Sequence, residues 1–340
     1  MQNNIYDKLL QISNNTSVDT NTSTCNPIKT LLDSLDGECG KCYSTGFENI
    51  DSMIKGGFKP QTLTILAAQT GMGKTTLSLQ MAYHISKTYK KDVLYLAFEM
   101  SAFQLYLKLL SMLTKDIHDR CVNAGGKPWC VDQILEKDEW PLVDRDTQGL
   151  LIRAAEELQN NTNLYIKSHV DYVTPEDVRK MVEDHITATG NEPIVFIDYL
   201  HNIGSKKTSA TAKQVIDDAI EMLKILSHKY EIPIVAMSSL NRMSYSDPDL
   251  ASVKGSGEIE YTASTVFLLS DVDAEKKTPP KDLSARTSSR SCRDMSRTRT
   301  LRITAAKNRM GERDISTVLR FNEEYNYFQE IQMGATAEYV

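Results

Sequence analysis

Apolar positions in this chain fall into short unbroken runs, separated by longer stretches of helical period. Runs at Thr62–Ala67, Val93–Phe98, Leu164–Lys167, Pro193–Asp198, Ile232–Ser238, Thr265–Leu269, Leu301–Ala306 and Ile315–Phe321 read as strands. Several lack in/out alternation, as expected for central strands of a parallel sheet covered on both faces. Helices are predicted at Lys74–Ser86, Ala102–Leu113, Pro175–Thr189 and Ala212–Tyr230. Thr174 before Pro175, with Asp177 three residues on, is a helix-start signal. Val122–Asp146, with Gly125-Gly126, Pro128 and Pro141, reads as an irregular elaboration. The alternation from Tyr43 onward predicts an α/β fold, a mostly parallel central sheet with helices on both faces.

Residues 1–42 are patterned differently. Ile5, Leu9 and Ile12 mark a short helical turn, and Ser13–Thr24 is almost wholly Ser, Asn, Thr and Asp, a flexible linker. Asn26 as cap, Pro27 at the first helical position, and Ile28, Leu31, Leu32 and Leu35 on one face predict a short amphipathic helix. Its apolar stripe needs a surface, either its own domain or a neighbouring subunit. The expected organisation is a tail at 1–42, one large domain at 43–332 and a C-terminal tail at 333–340. A basic, flexible insert is expected at about 273–300.

Composition narrows the setting. The chain has 340 residues, 41% hydrophobic and 25% charged, ordinary for a soluble protein with one large core. No apolar run approaches a membrane span. The start, Met1-Gln-Asn-Asn-Ile-Tyr-Asp, has neither the basic nor the apolar region of an export signal. Six scattered cysteines do not form a disulfide framework, so a cytoplasmic location is expected. Cys39-Gly-Lys-Cys42 with Cys25 gives too few ligands for zinc, and ordinary thiols are the plainer reading. The net charge of −6 argues against nucleic acid, but twelve Lys and Arg crowd Lys276–Arg313 against Asp282, Asp294 and Glu312. That cluster reads either as a solvated loop or as a contribution to DNA affinity.

The chemistry is concentrated after the first strong strand. Ala68-Gln-Thr-Gly-Met-Gly-Lys-Thr75 stands between the apolar run and a helix that opens with Thr76. Strand, glycine-bearing loop and helix N-terminus together make a phosphate cradle. Ala68, Gln69, Thr70, Gly71, Met72, Gly73, Lys74, Thr75 and Thr76 are therefore expected to bind ATP. Lys74 would reach the β/γ-phosphates and Thr75 would hold Mg²⁺. Ile194-Val-Phe-Ile-Asp198 ends an apolar strand in a carboxylate, so Asp198 is the second expected Mg²⁺ ligand. Glu99 closes the strand Val93–Phe98 and is a candidate for orienting or deprotonating the attacking water; a plain helix-start Glu is the alternative. His201, just beyond Asp198, decides nothing alone.

These motifs, with Ser44-Thr-Gly-Phe47, Gly56-Gly57, Phe98-Glu-Met-Ser101, Ile197-Asp-Tyr-Leu200, Ser238-Ser-Leu-Asn-Arg242, Lys254-Gly-Ser-Gly-Glu-Ile-Glu260 and Ala306-Lys-Asn-Arg309, follow a known order. From Tyr43 to about Ile331 the chain resembles the ATPase domain of DnaB-type hexameric replicative helicases. Ala68 in place of a first Gly belongs to that pattern too. The resemblance implies a RecA-like P-loop ATPase core with a short N-terminal linker helix docking on the next protomer. It implies ATP and Mg²⁺ as cofactors, single-stranded DNA as partner, possible replication factors, and a homo-oligomer, a hexamer by family. Glu99 matches the catalytic glutamate. Lys307 and Arg309 match the pair that reaches a neighbour's γ-phosphate, and Lys254, Gly255, Ser256 and Gly257 match a DNA-holding loop of the central channel.

Departures accompany the likeness. Ser239 stands where the family has a γ-phosphate-sensing Gln, His201 replaces a usual Gln, the stretch before Tyr43 is expected to lack the helicase N-terminal domain, and the basic insert is long. The leading expectation is an ATP-driven DNA helicase translocating on single-stranded DNA as a ring. The alternatives are a non-translocating RecA- or KaiC-like DNA-binding ATPase or recombination mediator, and a P-loop kinase of a small molecule.

Overall fold

The computed structural model describes residues 41–121, 125–161, 163–169, 173–204, 211–241, 248–272 and 298–331. The expected helix at 26–35, Cys25 and Cys39, Arg242, residues 273–297 of the basic insert and the tail at 333–340 lie outside the described residues.

Nine strands form one sheet in the order β3-β2-β4-β5-β1-β6-β7-β8-β9. Six are β1 (Leu63–Ala68), β2 (Val93–Ala97), β3 (Leu164–Ser168), β4 (Ile194–Asp198), β5 (Ile234–Ser239) and β6 (Thr265–Asp271), and they pair in parallel. The other three, β7 (Thr298–Asn308), β8 (Ile315–Asn322) and β9 (Tyr327–Glu330), continue the sheet antiparallel. Every residue of β1, β2 and β4 is buried, which is why their sequences are unbroken apolar runs. In β8 alternate residues are buried, matching an antiparallel strand with one wet face.

One core lies between the sheet and helices α1 (Glu48–Met53), α2 (Lys74–Tyr89) and α3 (Ala102–Arg120). The opposite core is closed by α6 (Pro175–Thr189), α7 (Ala212–Lys229) and α8 (Ser256–Thr262). Two further helices, α4 (Val131–Leu135) and α5 (Arg145–Gln159), extend the first layer; with α3 they bury Trp129. The Thr174 signal is realised: its hydroxyl accepts from the Asp177 N–H at 3.3 Å, and its own N–H donates to Asp177 Oδ2 at 2.9 Å. Among the described residues no helix is long and apolar enough to cross a membrane.

Three expectations change. Thr298–Thr300, assigned to the insert, belongs to β7, where Thr298 pairs with Asn322 and closes the ladder. The stretch after Val122 is less irregular than expected. It holds α4, and α5 begins at Arg145, capped by Asp144, whose carboxylate accepts from the Thr147 N–H at 2.9 Å. The helix from Ala102 runs to Arg120 rather than Leu113.

Candidate active site

The ends of β1, β2, β4 and β5 open into one cleft of about 740 Å³. Its lining includes Gln69, Thr70, Gly71, Gly73, Lys74, Thr75, Thr76, Glu99, Asp198, Ser239 and Lys254. The parallel register brings these together: Ala68 pairs with Ser239, and Ala97 pairs with Asp198.

The loop between β1 and α2 turns sharply through two left-handed glycines, Gly71 at φ 83° and Gly73 at φ 81°. Gly73 must be small for a second reason. A Cβ there would stand 2.9 Å from both Phe321 Cε1 and Phe328 Cζ, whose rings stack at 4.3 Å beneath the loop. Lys74 Nζ donates to the Ala68 carbonyl at 2.8 Å and the Gln69 carbonyl at 3.1 Å. Burial lowers its pKa, opposed by the Asp198 and Glu99 carboxylates. An ammonium held only by carbonyls, in a part-dry cleft, is ready for an anionic partner.

Thr75 Oγ1 donates to Asp198 Oδ2 at 2.6 Å, joining the two expected metal ligands. Asp198 is 2% exposed, and burial raises its pKa, against the hydrogen bond from Thr75 and the charge of Lys74. The buried Tyr95 hydroxyl also reaches Asp198 Oδ2, at 3.4 Å. Glu99 is exposed at the cleft wall, and its backbone is fixed from both sides. The Phe98 N–H donates to the Asp198 carbonyl at 2.7 Å, and Asn202 Nδ2 donates to the Phe98 carbonyl at 2.7 Å. Glu99 therefore stands beside Asp198 rather than serving as a cap; Ser101 caps α3.

Lys254 reaches the same cleft, and its N–H donates to the Ser239 carbonyl at 3.0 Å. Gly255 follows at φ 77°, where a Cβ would meet Ile216 Cγ2 at 2.7 Å. Gly257 faces open space, and Ser256 opens α8. His201 is tilted against Tyr199 at 5.7 Å, and neither ring nitrogen has a partner among the described residues. Burial, then Lys254 and Lys74, push its pKa down to about 4.

Some expected residues lie elsewhere. Ala68 contributes only its carbonyl, and the Met72 sulfur turns to Arg299 at 3.0 Å instead of lining the cleft. Lys307 pairs with Val266 near the amino end of β6, whereas the phosphate loop leaves the carboxyl end of β1 beside Leu269. Lys307 Nζ donates to the Glu260 carbonyl and Arg309 Nη2 to the Tyr261 carbonyl, both at the end of α8. Burial, with Arg309 and Arg313, holds the Lys307 ammonium down at about 8. The pair thus sits at the opposite end of the sheet from its own chain's phosphate loop, and no arginine lines the cleft among the described residues.

Other cleft residues escaped the sequence reading. Lys108 of α3 lines it and donates to Asn326 Oδ1 at 2.6 Å; burial lowers its pKa, and Asp198 opposes that. Phe321, Glu323 and Asn326 form the wall from β8 and the turn beyond. A lysine in the otherwise apolar stripe Leu105, Leu109, Met112 was the one available signal for Lys108. The β8 residues gave none.

No group of three or more His, Cys, Asp or Glu side chains able to hold a metal occurs among the described residues, and Cys42, Cys121 and Cys130 are free thiols.

A family model of the DnaB-like helicase C-terminal domain matches residues 43–330. The chain is similar to the replicative DNA helicase DnaB of Helicobacter pylori, 32% identical over 66% of this chain and 43% of that protein. It is also similar to the replicative DNA helicase DnaB of Geobacillus stearothermophilus, 28% identical over 89% of this chain and 59% of that one. The solved ATPase domain of G40P superposes with a TM-score of 0.70 at 20% identity, covering 98% of this chain and all (100%) of that one. That likeness carries the fold, which is RecA-like as expected. The chain spans about half the length of the curated relatives it matches.

Proposed function

Because this chain belongs to the DnaB-like helicase C-terminal domain family, we propose that it is the ATP-hydrolysing motor of a ring-shaped DNA helicase acting in replication. The Thr75–Asp198 contact, in a cleft shared with Lys74 and Glu99, carries the reading. ATP would lay its phosphates on the loop Gln69–Gly73 and the amino end of α2. Lys74 would then exchange the Ala68 and Gln69 carbonyls for phosphate oxygens. The Thr75 hydroxyl and the buried Asp198 carboxylate are hard oxygen donors and fit Mg²⁺, which takes few protein ligands and fills its shell with phosphate and water. When bound, Mg²⁺ would neutralise developing charge on the β/γ-oxygens.

Glu99, beside Asp198, would orient a water and take its proton as the water oxygen attacks the γ-phosphorus and ADP departs. Lys108 adds a further positive charge to the wall. The guanidinium that this cleft lacks would come from Arg309, with Lys307, of an adjacent subunit. Their position at the far end of the sheet supports that division, because one protomer cannot supply both halves. A finger supplied in trans ties hydrolysis to assembly, and a head-to-tail interface that closes makes a ring, here proposed as a hexamer.

Lys254–Gly257 is proposed to hold single-stranded DNA: small residues admit phosphate close to backbone N–H groups, and Lys254 adds charge. The Lys254 N–H to Ser239 carbonyl bond gives a direct path from the nucleotide to that loop. Ser239 is too short to reach where a Gln would, so this backbone link supports coupling without that side chain.

ATPase assays with and without single-stranded DNA, beside particle mass and strand displacement on a forked duplex, test the proposal. DNA-stimulated turnover by an oligomer that separates the fork is expected. An intact fork despite ATP and DNA binding would leave a non-translocating ATPase. Turnover indifferent to DNA would point away from DNA altogether.

A further inference from the structure

We propose that Arg299 is the positioning residue of the phosphate loop, a latch that holds the loop's apex in its nucleotide-accepting shape. The inference rests on the reading of Ala68–Thr76 as a nucleotide site.

Arg299 stands in the second position of β7, far from the loop in sequence, yet its guanidinium lies on it. Nη1 donates to the Gly71 carbonyl at 3.1 Å and to Glu323 Oε1 at 2.8 Å. Nη2 donates to Asp271 Oδ2 at 2.8 Å and to the Met72 sulfur at 3.0 Å. Nε donates to Asp271 Oδ2 at 3.2 Å. A guanidinium has five N–H groups, and all five are engaged on four acceptor atoms, Asp271 Oδ2 accepting twice. No donor is left for a phosphate, so the group acts as a clamp rather than as a ligand.

The clamp acts through a single peptide unit. The Gly71 carbonyl and the Met72 N–H belong to the same planar group, so fixing the carbonyl's direction fixes that of the N–H. Gly71, at φ 83°, has no side chain to restrict it, and a Cβ there would meet nothing within 4 Å. Within the loop that peptide has only a long bond, from the Met72 N–H to the Gln69 carbonyl at 3.4 Å, and Arg299 adds the restraint on its carbonyl side. The other half of the latch is anchored in the sheet, at the last residue of β6 (Asp271) and just beyond β8 (Glu323).

A second effect is electrostatic. Glu323 lines the cleft, and a bare carboxylate there would repel a triphosphate. The Arg299–Glu323 pair at 2.8 Å and the Arg299–Asp271 pair at 2.8 Å neutralise that wall. A planar fork with five donors makes all five contacts at once; an ammonium, with three, can replace only some of them.

The test uses the full chain, with Mg-ATP binding by calorimetry and steady-state ATPase. Arg299→Gln is expected to raise the Kd and KM for ATP about tenfold, as for loss of a charged hydrogen bond that preorganises a binding loop. Saturated kcat should stay within about twofold, because the lost contact is uniform binding. Arg299→Lys should recover part of the affinity. Asp271→Asn, outside the cleft, should weaken binding in the same direction, and its combination with Arg299→Gln should add less than the sum of the two. Wild-type affinity in Arg299→Gln, with or without a lowered melting temperature, overturns the latch. If Arg299→Gln does not fold, wild-type affinity in Asp271→Asn overturns it instead. Lys74→Ala separates the premises: if wild-type protein binds no Mg-ATP, or binds it independently of Lys74, the nucleotide site itself is wrong.

Discussion

Asp198 and His201 stand three residues apart, and burial acts on them oppositely. It disfavours the charged form of each, so it raises the Asp198 pKa and lowers that of His201, which stays neutral. Asp198→Asn keeps the acceptor for Thr75 but removes the charge, so turnover should fall by at least about a hundredfold while the fold persists; single-turnover hydrolysis checks this. His201 yields a stability prediction. Its folded pKa, about 4, lies below its ordinary 6.5, so between those values the unfolded chain takes up a proton that the folded chain refuses. Stability should therefore fall as pH drops from 6.5 to 4. His201→Gln should remove on the order of 1–3 kcal/mol of that fall, read from denaturant midpoints across the window. At this scale the sequence was legible where motif residues are neighbours in the chain. Arg299, Lys108 and Glu323 were not, because only the sheet brings β7, α3 and the turn after β8 to the loop.

Elements were legible in proportion to their burial. Strands β1, β2 and β4 are covered on both faces and announce themselves as apolar runs. Helix α5 buries only Thr147, Leu150 and Ala154, a stripe too thin to stand out from a polar background. Short α8 and β9 gave no period to count. Trp129 is what fastens α4 and α5: it is 2% exposed, and its Nε1 donates to the Thr147 carbonyl at 2.6 Å. Trp129→Ala should cost about 3–5 kcal/mol. Hydrogen exchange should show α4 and α5 losing protection before β1 or β4, since this small cluster lies apart from the two main cores. The loop-to-helix junction behaves differently. Gly73→Ala meets both a left-handed φ and the Phe321–Phe328 stack, so it should cost about 1–3 kcal/mol and weaken ATP binding together. Adding Phe321→Leu should recover part of the stability, measured by thermal melting, but not the strain in φ.

The two half-sites proposed for each protomer cannot meet within it. The loop, Thr75, Asp198 and Glu99 lie at the carboxyl ends of the parallel strands, while Lys307 and Arg309 are tied to the end of α8 at the opposite end of β6. Arg309→Ala should then leave ATP affinity within about twofold, because its own cleft is untouched, yet remove DNA-stimulated hydrolysis by about a thousandfold, the scale of a finger supplied in trans. Glu99→Ala should bind ATP and not turn it over. Neither variant alone completes a site. In a mixture, an interface that takes Glu99 from an Arg309→Ala subunit and Arg309 from a Glu99→Ala subunit has both groups. Random assembly of equal amounts in a closed head-to-tail ring makes about one interface in four of that kind. Hydrolysis should therefore reappear on mixing and depend on the ratio, with a maximum near equality. If the mixture stays silent while mass measurements show mixed rings, Lys307 and Arg309 do not serve the neighbour, and the charge on the γ-phosphate must be met from within the cleft, where Lys74, Lys108 and Lys254 are the cations at hand.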